Sequence, residues 1–142
     1  AYELEYLDVL LDSKEEFERK LAIQKKSIEE NQQVLFQKIR EYPYCIIFSA
    51  GSHGSNLQVM LKQRFQMDIR AFCDNDILKQ GKRINDVEVL SPWEAERCFP
   101  GGVYLVANKK YSREIQGQLS RMGIEKNRVI DCKVEKLIDG FL

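Results

Sequence analysis

Most of what this chain lacks removes a function class. His53 is its only histidine, and no two of its four cysteines (Cys45, Cys73, Cys98 and Cys132) form a C-x-x-C pair. A zinc site therefore has too few ligands, too widely spaced, and no metal centre is expected. Neither charge sign is in excess: 22 basic residues stand against 22 acidic ones. That balance argues against nonspecific binding to nucleic acid or to a membrane surface. No apolar run approaches the roughly 20 residues that span a bilayer, and no secretory signal pattern is visible. S-x-x-x-K, G-x-S-x-G, H-E-x-x-H and Walker-lysine arrangements are all missing, so no catalytic residue is assigned. Internal repeats and low-complexity tracts are missing too.

What remains is a chain of 142 residues, 44% hydrophobic and 31% charged. That is enough for one globular domain with a real core. Unpaired cysteines on or beside apolar runs read as buried, reduced thiols in a cytoplasmic protein. A chain that begins at Ala1 and is already patterned reads as a piece of a longer protein.

Residues 1–42 differ from the rest and read as a helical segment. Ser13-Lys14-Glu15-Glu16 matches a capping box and predicts a helix start. Phe17, Leu21, Ile28, Leu35 and Ile39 follow at helical spacing, with no Gly or Pro until Pro43. This predicts a helix of about 25 residues. Residues 2–11, with Leu4, Leu7, Val9, Leu10 and Leu11, predict a separate short helix. Leu21, Ile28 and Leu35 lie seven apart, a spacing that suits a homodimer through the helix; Gln24 and Asn31 spoil the companion stripe. The other reading packs the stripe on its own or a neighbouring domain.

Residues 43–142 alternate between strand and helix. The strands are Tyr44–Phe48, Met67–Cys73, Val87–Val89, Val103–Ala107 and Arg128–Asp131. Ser91-Pro92-Trp93-Glu94 opens a helix with an N-cap, a proline and a first-turn glutamate. Ile115, Leu119 and Met122 mark a later helix that Gly123 stops, and Val134, Leu137 and Ile138 a short last one. Asn75–Lys82 reads as a polar loop, and Trp93 and Tyr104 as core. Alternation of this kind implies an α/β fold with a parallel five-stranded sheet, in an order near 3-2-1-4-5.

The most informative stretch is Ser49-Ala50-Gly51-Ser52-His53-Gly54, between the first strand and an amphipathic segment carrying Leu57, Met60, Leu61 and Phe65. Strand, glycine turn and helix make a phosphate-binding pattern. Gly51 lets a ligand approach the backbone, Gly54 lets helix and strand pack closely, and the helix start favours an anion. Ser49, Gly51, Ser52, His53 and Gly54 are therefore candidate ligand residues, although Ser49 replaces the first glycine of G-x-G-x-x-G. His53 reads either as a contact to a phosphate or sugar hydroxyl or as a water-exposed first-turn residue. Asp74 ends the second strand, 20 residues beyond Gly54, where a dinucleotide fold places the acid that binds ribose hydroxyls. Asn108-Lys109-Lys110 follows the fourth strand and faces the same crevice, which adds Asn108 and Lys110 as candidate contacts to a phosphate or sugar; the other reading is a solvated basic loop.

Three pieces together resemble a known family. Ser49–Gly54, Phe72-Cys73-Asp74-Asn75-Asp76 and the stretch from Gly81 to Pro92 are similar to the Rossmann-like nucleotide-binding domain associated with bacterial sugar-nucleotide and polysaccharide-modifying enzymes. That domain precedes sugar acyltransferase domains, occurs in sugar-nucleotide dehydratases and epimerases, and stands beside some methyltransferase and glycosyltransferase domains. The resemblance covers about residues 43–132. Ser49, Asp86 and Glu88 depart from it, standing where the family has glycine, glycine and proline. It implies a nucleotide, nucleotide-sugar or NAD(P) ligand, and a module of a larger sugar-nucleotide-modifying enzyme without a complete active site of its own. An NAD(P)-binding oxidoreductase-type module and a non-enzymatic association scaffold are the competing readings.

Overall fold

The computed structural model describes the backbone of residues 2–138 and the side chains of residue 7 and residues 9–138. The chain opens with a single 38-residue helix, α1 (Tyr2–Ile39). The expected break before Ser13 is absent. Ser13 is an interior residue, because a capping box starts a helix only where the preceding chain leaves it, and no glycine or proline makes it leave. Leu4 belongs to the expected first helix, and its side chain lies outside the described residues.

The body then follows as β1 (Cys45–Phe48), α2 (Ser52–Phe65), β2 (Ala71–Cys73), β3 (Arg83–Ile84), β4 (Val87–Leu90), α3 (Pro92–Cys98), β5 (Val103–Val106), α4 (Ser112–Arg121) and β6 (Val129–Asp131). The sheet order is β3-β4-β2-β1-β5-β6. Five of these strands are parallel and stand in the expected relation, with Ile46 and Ile47 of β1 beside Tyr104 and Leu105 of β5. The sheet is nevertheless six-stranded and mixed, not five-stranded and parallel, because β3 pairs antiparallel with β4 at the edge. Asn85 and Asp86 make that hairpin: both have positive φ, 49° and 65°, as a two-residue turn of this hand requires. Asp86 thus holds the conformation for which the resembling family uses glycine; Asn and Asp tolerate it better than most residues.

Both faces of the sheet are covered, which explains why β1 and β5 are apolar throughout. Leu35 and Ile39 of α1 and Leu57, Met60 and Leu61 of α2 pack on one face, over Ile47, Phe72, Val89 and Leu105. Ala95 of α3 and Ile115 and Leu119 of α4 pack on the other, over Ile46, Phe48, Tyr104 and Val106. Tyr104 is core, as expected, but Trp93 is 66% exposed. It sits in the first turn of a seven-residue helix whose buried side is taken by Pro92 and Ala95. Cys45, Cys73 and Cys132 are buried free thiols, while Cys98 is exposed. The segment after β6 forms a short 3-10 turn, Val134–Lys136, in place of the expected helix; residues 139–142 lie outside the described residues.

α1 changes character along its length. Ile28, Gln32, Leu35 and Ile39 are buried, and Leu10, Phe17 and Leu21 are 47–62% exposed. At about 100° per residue, those three lie within about 40° of the buried set around the helix axis. One stripe therefore runs from the core into solvent. Its direction is fixed by three hydrogen bonds. Asn31 Nδ2 donates to Lys136 O (3.0 Å) and Gln32 Nε2 to Leu137 O (2.7 Å), near the carboxyl ends of the strands. Tyr42 Oη donates to Asn127 O at their amino ends. Residues 2–27 accordingly run about 39 Å at 1.5 Å per residue toward and beyond the carboxyl edge, with Lys20, Ile23, Gln24 and Ser27 lining a cavity shared with Glu135 and Lys136.

Candidate functional site

At the carboxyl edge, β1 gives way to a tight turn. Ser49 has φ 117°, a conformation suited to the glycine it replaces, so the turn survives the substitution at a cost in strain. Its N–H donates to Cys73 O (2.8 Å). Ala50 N–H donates to Asp74 Oδ2 (2.8 Å), and Asp76 N–H to Asp74 Oδ1 (2.9 Å). The carboxylate predicted to meet a ribose thus turns inward and latches the turn to the end of β2. Lys79 Nζ stands 4.0 Å from Asp74 Oδ2.

The two glycines after the latch play opposite parts. A Cβ on Gly54 would lie 2.0 Å from Ser49 O, so α2 packs on the turn only because none is there. A Cβ on Gly51 would meet nothing within 4 Å. Gly51 is the N-cap residue of α2 and supplies no side-chain cap, so the helix start presents its backbone to open space. Ser52 is exposed and His53 half-buried in that first turn. Across the crevice, Asn108 Nδ2 donates to Ser49 Oγ (3.3 Å) while Asn108 Oδ1 accepts from Tyr111 N–H (2.9 Å). Lys110 is exposed, with its ammonium 5.2 Å from the centre of the Tyr111 ring. The structure thus brings Ser49, Gly51, Gly54, Asp74 and Asn108 into one hydrogen-bonded turn with Ser52 and His53 on its rim, and it leaves Lys110 outside.

Two features escaped sequence reasoning. Asn75 and Gln118 exchange amide hydrogen bonds of 2.8 and 2.9 Å, tying the loop after β2 to α4. A cavity of about 290 Å³ also lies beside the first turn of α2, lined by His53, Lys109, Ser112, Asp131, Lys133 and Lys136 among others. Ser112 Oγ donates to Asp131 Oδ1 (2.7 Å) within it. A signal for it was present, since β6 ends at Asp131 on the edge where open α/β sheets bind ligands.

The thiols add no nucleophile. Burial pushes Cys45 from its ordinary value of 9.0 up to about 12 and raises Cys132. Burial, helped by the Asp74 charge, raises Cys73. These thiols stay protonated. Among the described residues, no group of three or more His, Cys, Asp and Glu side chains is placed to hold a metal ion, and no helix is long and apolar enough to cross a membrane.

Solved structures similar to this chain include UDP-D-quinovosamine 4-dehydrogenase from Vibrio fischeri, at 25% identity over 61% of this chain and 74% of that one, with a TM-score of 0.48. RSP, a Rex-family repressor, matches at 21% identity over 59% of this chain and 43% of its own, TM-score 0.46. RSP in complex with beta-NADH matches at 21% identity over 57% and 42%, TM-score 0.45. The chain therefore spans under half the length of the RSP structures. No curated protein matches it significantly. The model of the C2185-like N-terminal family matches residues 41–130, from the turn that ends α1 to the middle of β6, and the chain belongs to that family.

Proposed function

We propose that this chain is a nucleotide- or nucleotide-sugar-binding module of a larger cytoplasmic enzyme of sugar-nucleotide or surface-polysaccharide biosynthesis. On this reading residues 1–42 are a helical segment and residues 43–142 the binding domain, and catalysis is completed by another domain. One observation carries it. Of two glycines in one turn, Gly54 is filled against by backbone, while Gly51 opens on empty space at an uncapped helix start. Packing alone accounts for Gly54. A phosphate that must come close to the backbone accounts for Gly51. Ser49, Ser52, His53 and Asn108 frame the place it would occupy, and Asp74 holds the frame.

The projecting part of α1 supports the view that the module works with a partner. Its apolar stripe faces the volume above the carboxyl edge, so whatever covers it stands over the crevice. A bare helix of this composition gains little stability in water without such a cover. A second copy of the chain would make a homodimer, and a following domain would bring the chemistry. The scaffold reading rests on this stripe alone.

The test is a thermal-shift panel of NAD, NADP, UDP-sugars and acetyl-CoA, followed by calorimetry on Gly51→Val. A ligand that binds only the folded state raises Tm. The variant should keep its fold and lose the ligand, because its side chain fills only the approach. Undiminished binding by Gly51→Val would move the site elsewhere. Stabilisation by NAD or NADP alone would favour the oxidoreductase-type reading. If no compound stabilises the intact protein, the scaffold reading takes over.

A further inference from the structure

The cavity beside the first turn of α2, which supplies His53, is walled by three further chain segments that meet at the carboxyl edge. Lys109 comes from the loop after β5, Ser112 from the start of α4, and Lys133 and Lys136 from the turn after β6. Three lysines thus line a space of about 290 Å³. Among the described residues none of the three makes an ion pair. The lining acids do not cancel them. Asp131 keeps its charge while accepting from Ser112, so two carboxylates, Asp131 and Glu135, stand against three lysines and a positive excess remains. The cavity is also small: a ligand pocket for a whole drug-sized molecule spans about 300–1,000 Å³.

We propose that this cavity seats the distal phosphoryl group of a diphosphate whose proximal phosphate lies at Gly51, and that Lys109, Lys133 and Lys136 make the module select nucleoside diphosphates and their esters over monophosphates. The proposal deepens the nucleotide-binding reading and rests on it for the position of the proximal phosphate. His53 stands between the two places, lining the cavity from the turn that carries Gly51. Compact, strongly hydrated ammonium groups suit a phosphoryl group as point charges, and their attraction is screened by salt. The selection should therefore weaken as ionic strength rises.

Calorimetric titration of the whole chain with UMP against UDP, and AMP against ADP, reads this selection. At low salt the diphosphate of the better-binding pair should bind about tenfold more tightly than its monophosphate. In Lys133→Ala/Lys136→Ala the two affinities should converge, with the monophosphate unchanged. Both side chains are exposed, and an unaltered Tm checks that the fold is intact. An intact protein without a diphosphate preference, or a double variant that keeps it, overturns the proposal. If neither pair binds, the Gly51 reading fails on its own, and inorganic pyrophosphate decides the cavity. Amide shifts at residues 131–136, lost in the double variant, sustain a diphosphate seat; unmoved amides reject it.

Discussion

The two edges of the sheet treat charge in opposite ways. At the amino edge, Arg128 Nη2 donates to both oxygens of Glu96 at 2.7 Å, and Arg128 Nε donates to Gly102 O at 2.9 Å. Tyr104 Oη closes the set with a 2.8 Å bond to Glu96 Oε2. These charged side chains are 13% and 27% exposed, and each spends its hydrogen bonds on the protein. At the carboxyl edge the largely buried Asp74 holds backbone and meets Lys79, while Lys109, Lys133 and Lys136 line open space with no ion pair among the described residues. Charge that is consumed inside the protein stabilises it. Charge left facing a cavity is available to something else.

Gly54→Ala attacks the carboxyl edge where it is most tightly packed. The clash with Ser49 O forces the backbone to move, and a denaturant titration should show a loss of about 3 kcal/mol. A loss under about 1 kcal/mol would mean that helix and turn separate easily. Glu96→Ala attacks the amino edge instead. It strands Arg128 in a partly buried site and should lower stability by about 2–3 kcal/mol, less than for a fully buried pair. Nucleotide binding should not change, and a parallel loss would erase the distinction between the edges.

Asp74→Ala separates a latch from a ligand contact. Loss of two hydrogen bonds to the carboxylate should cost about 2 kcal/mol of stability without any nucleotide present. An apo protein of unaltered stability would return Asp74 to the role of ribose acceptor alone.

Alkali tests both edges together, since Cys45 begins β1 and Cys73 and Cys132 lie near the carboxyl edge. The Cys45 thiol ionises near 9.0 when unfolded and near 12 when folded. The unfolded chain therefore releases its proton first. Stability should be full below about pH 9 and fall above it, on the order of 1 kcal/mol per pH unit for each such thiol. Melting temperatures that stay level up to pH 10.5 would contradict this. The smallest effect belongs to Ser49→Gly, which relieves the positive φ and should stabilise by about 0.5–1 kcal/mol. A destabilised variant would show that the bond from Asn108 to Ser49 outweighs the strain.

The sequence revealed what depends on neighbours in the chain. Alternating apolar runs marked five strands and their order, and the glycine turn marked the edge where a site forms. β3 stayed hidden because two residues carry no periodicity, and its turn is made by Asn85 and Asp86 without a glycine. The capping box at Ser13 misled because a start signal does not break a helix already under way. Trp93 was read by its chemistry, whereas its exposure follows from its place at the start of a short helix. At the site, the position of Asp74 was legible and its partner was not. Ala50 is 24 residues away, and only the folded turn aims its N–H at the carboxylate.

The stripe on α1 carries a phase as well as a length. A helix turns about 100° with each residue, so deleting one residue between 12 and 27 would rotate Leu10 by that angle relative to the crevice and shorten the helix by only about 1.5 Å. Deleting seven would shorten it by about 10 Å yet return Leu10 to within about 20° of its present bearing. A partner that must stand over the crevice senses bearing before distance. For such a partner, the shorter helix is the better match.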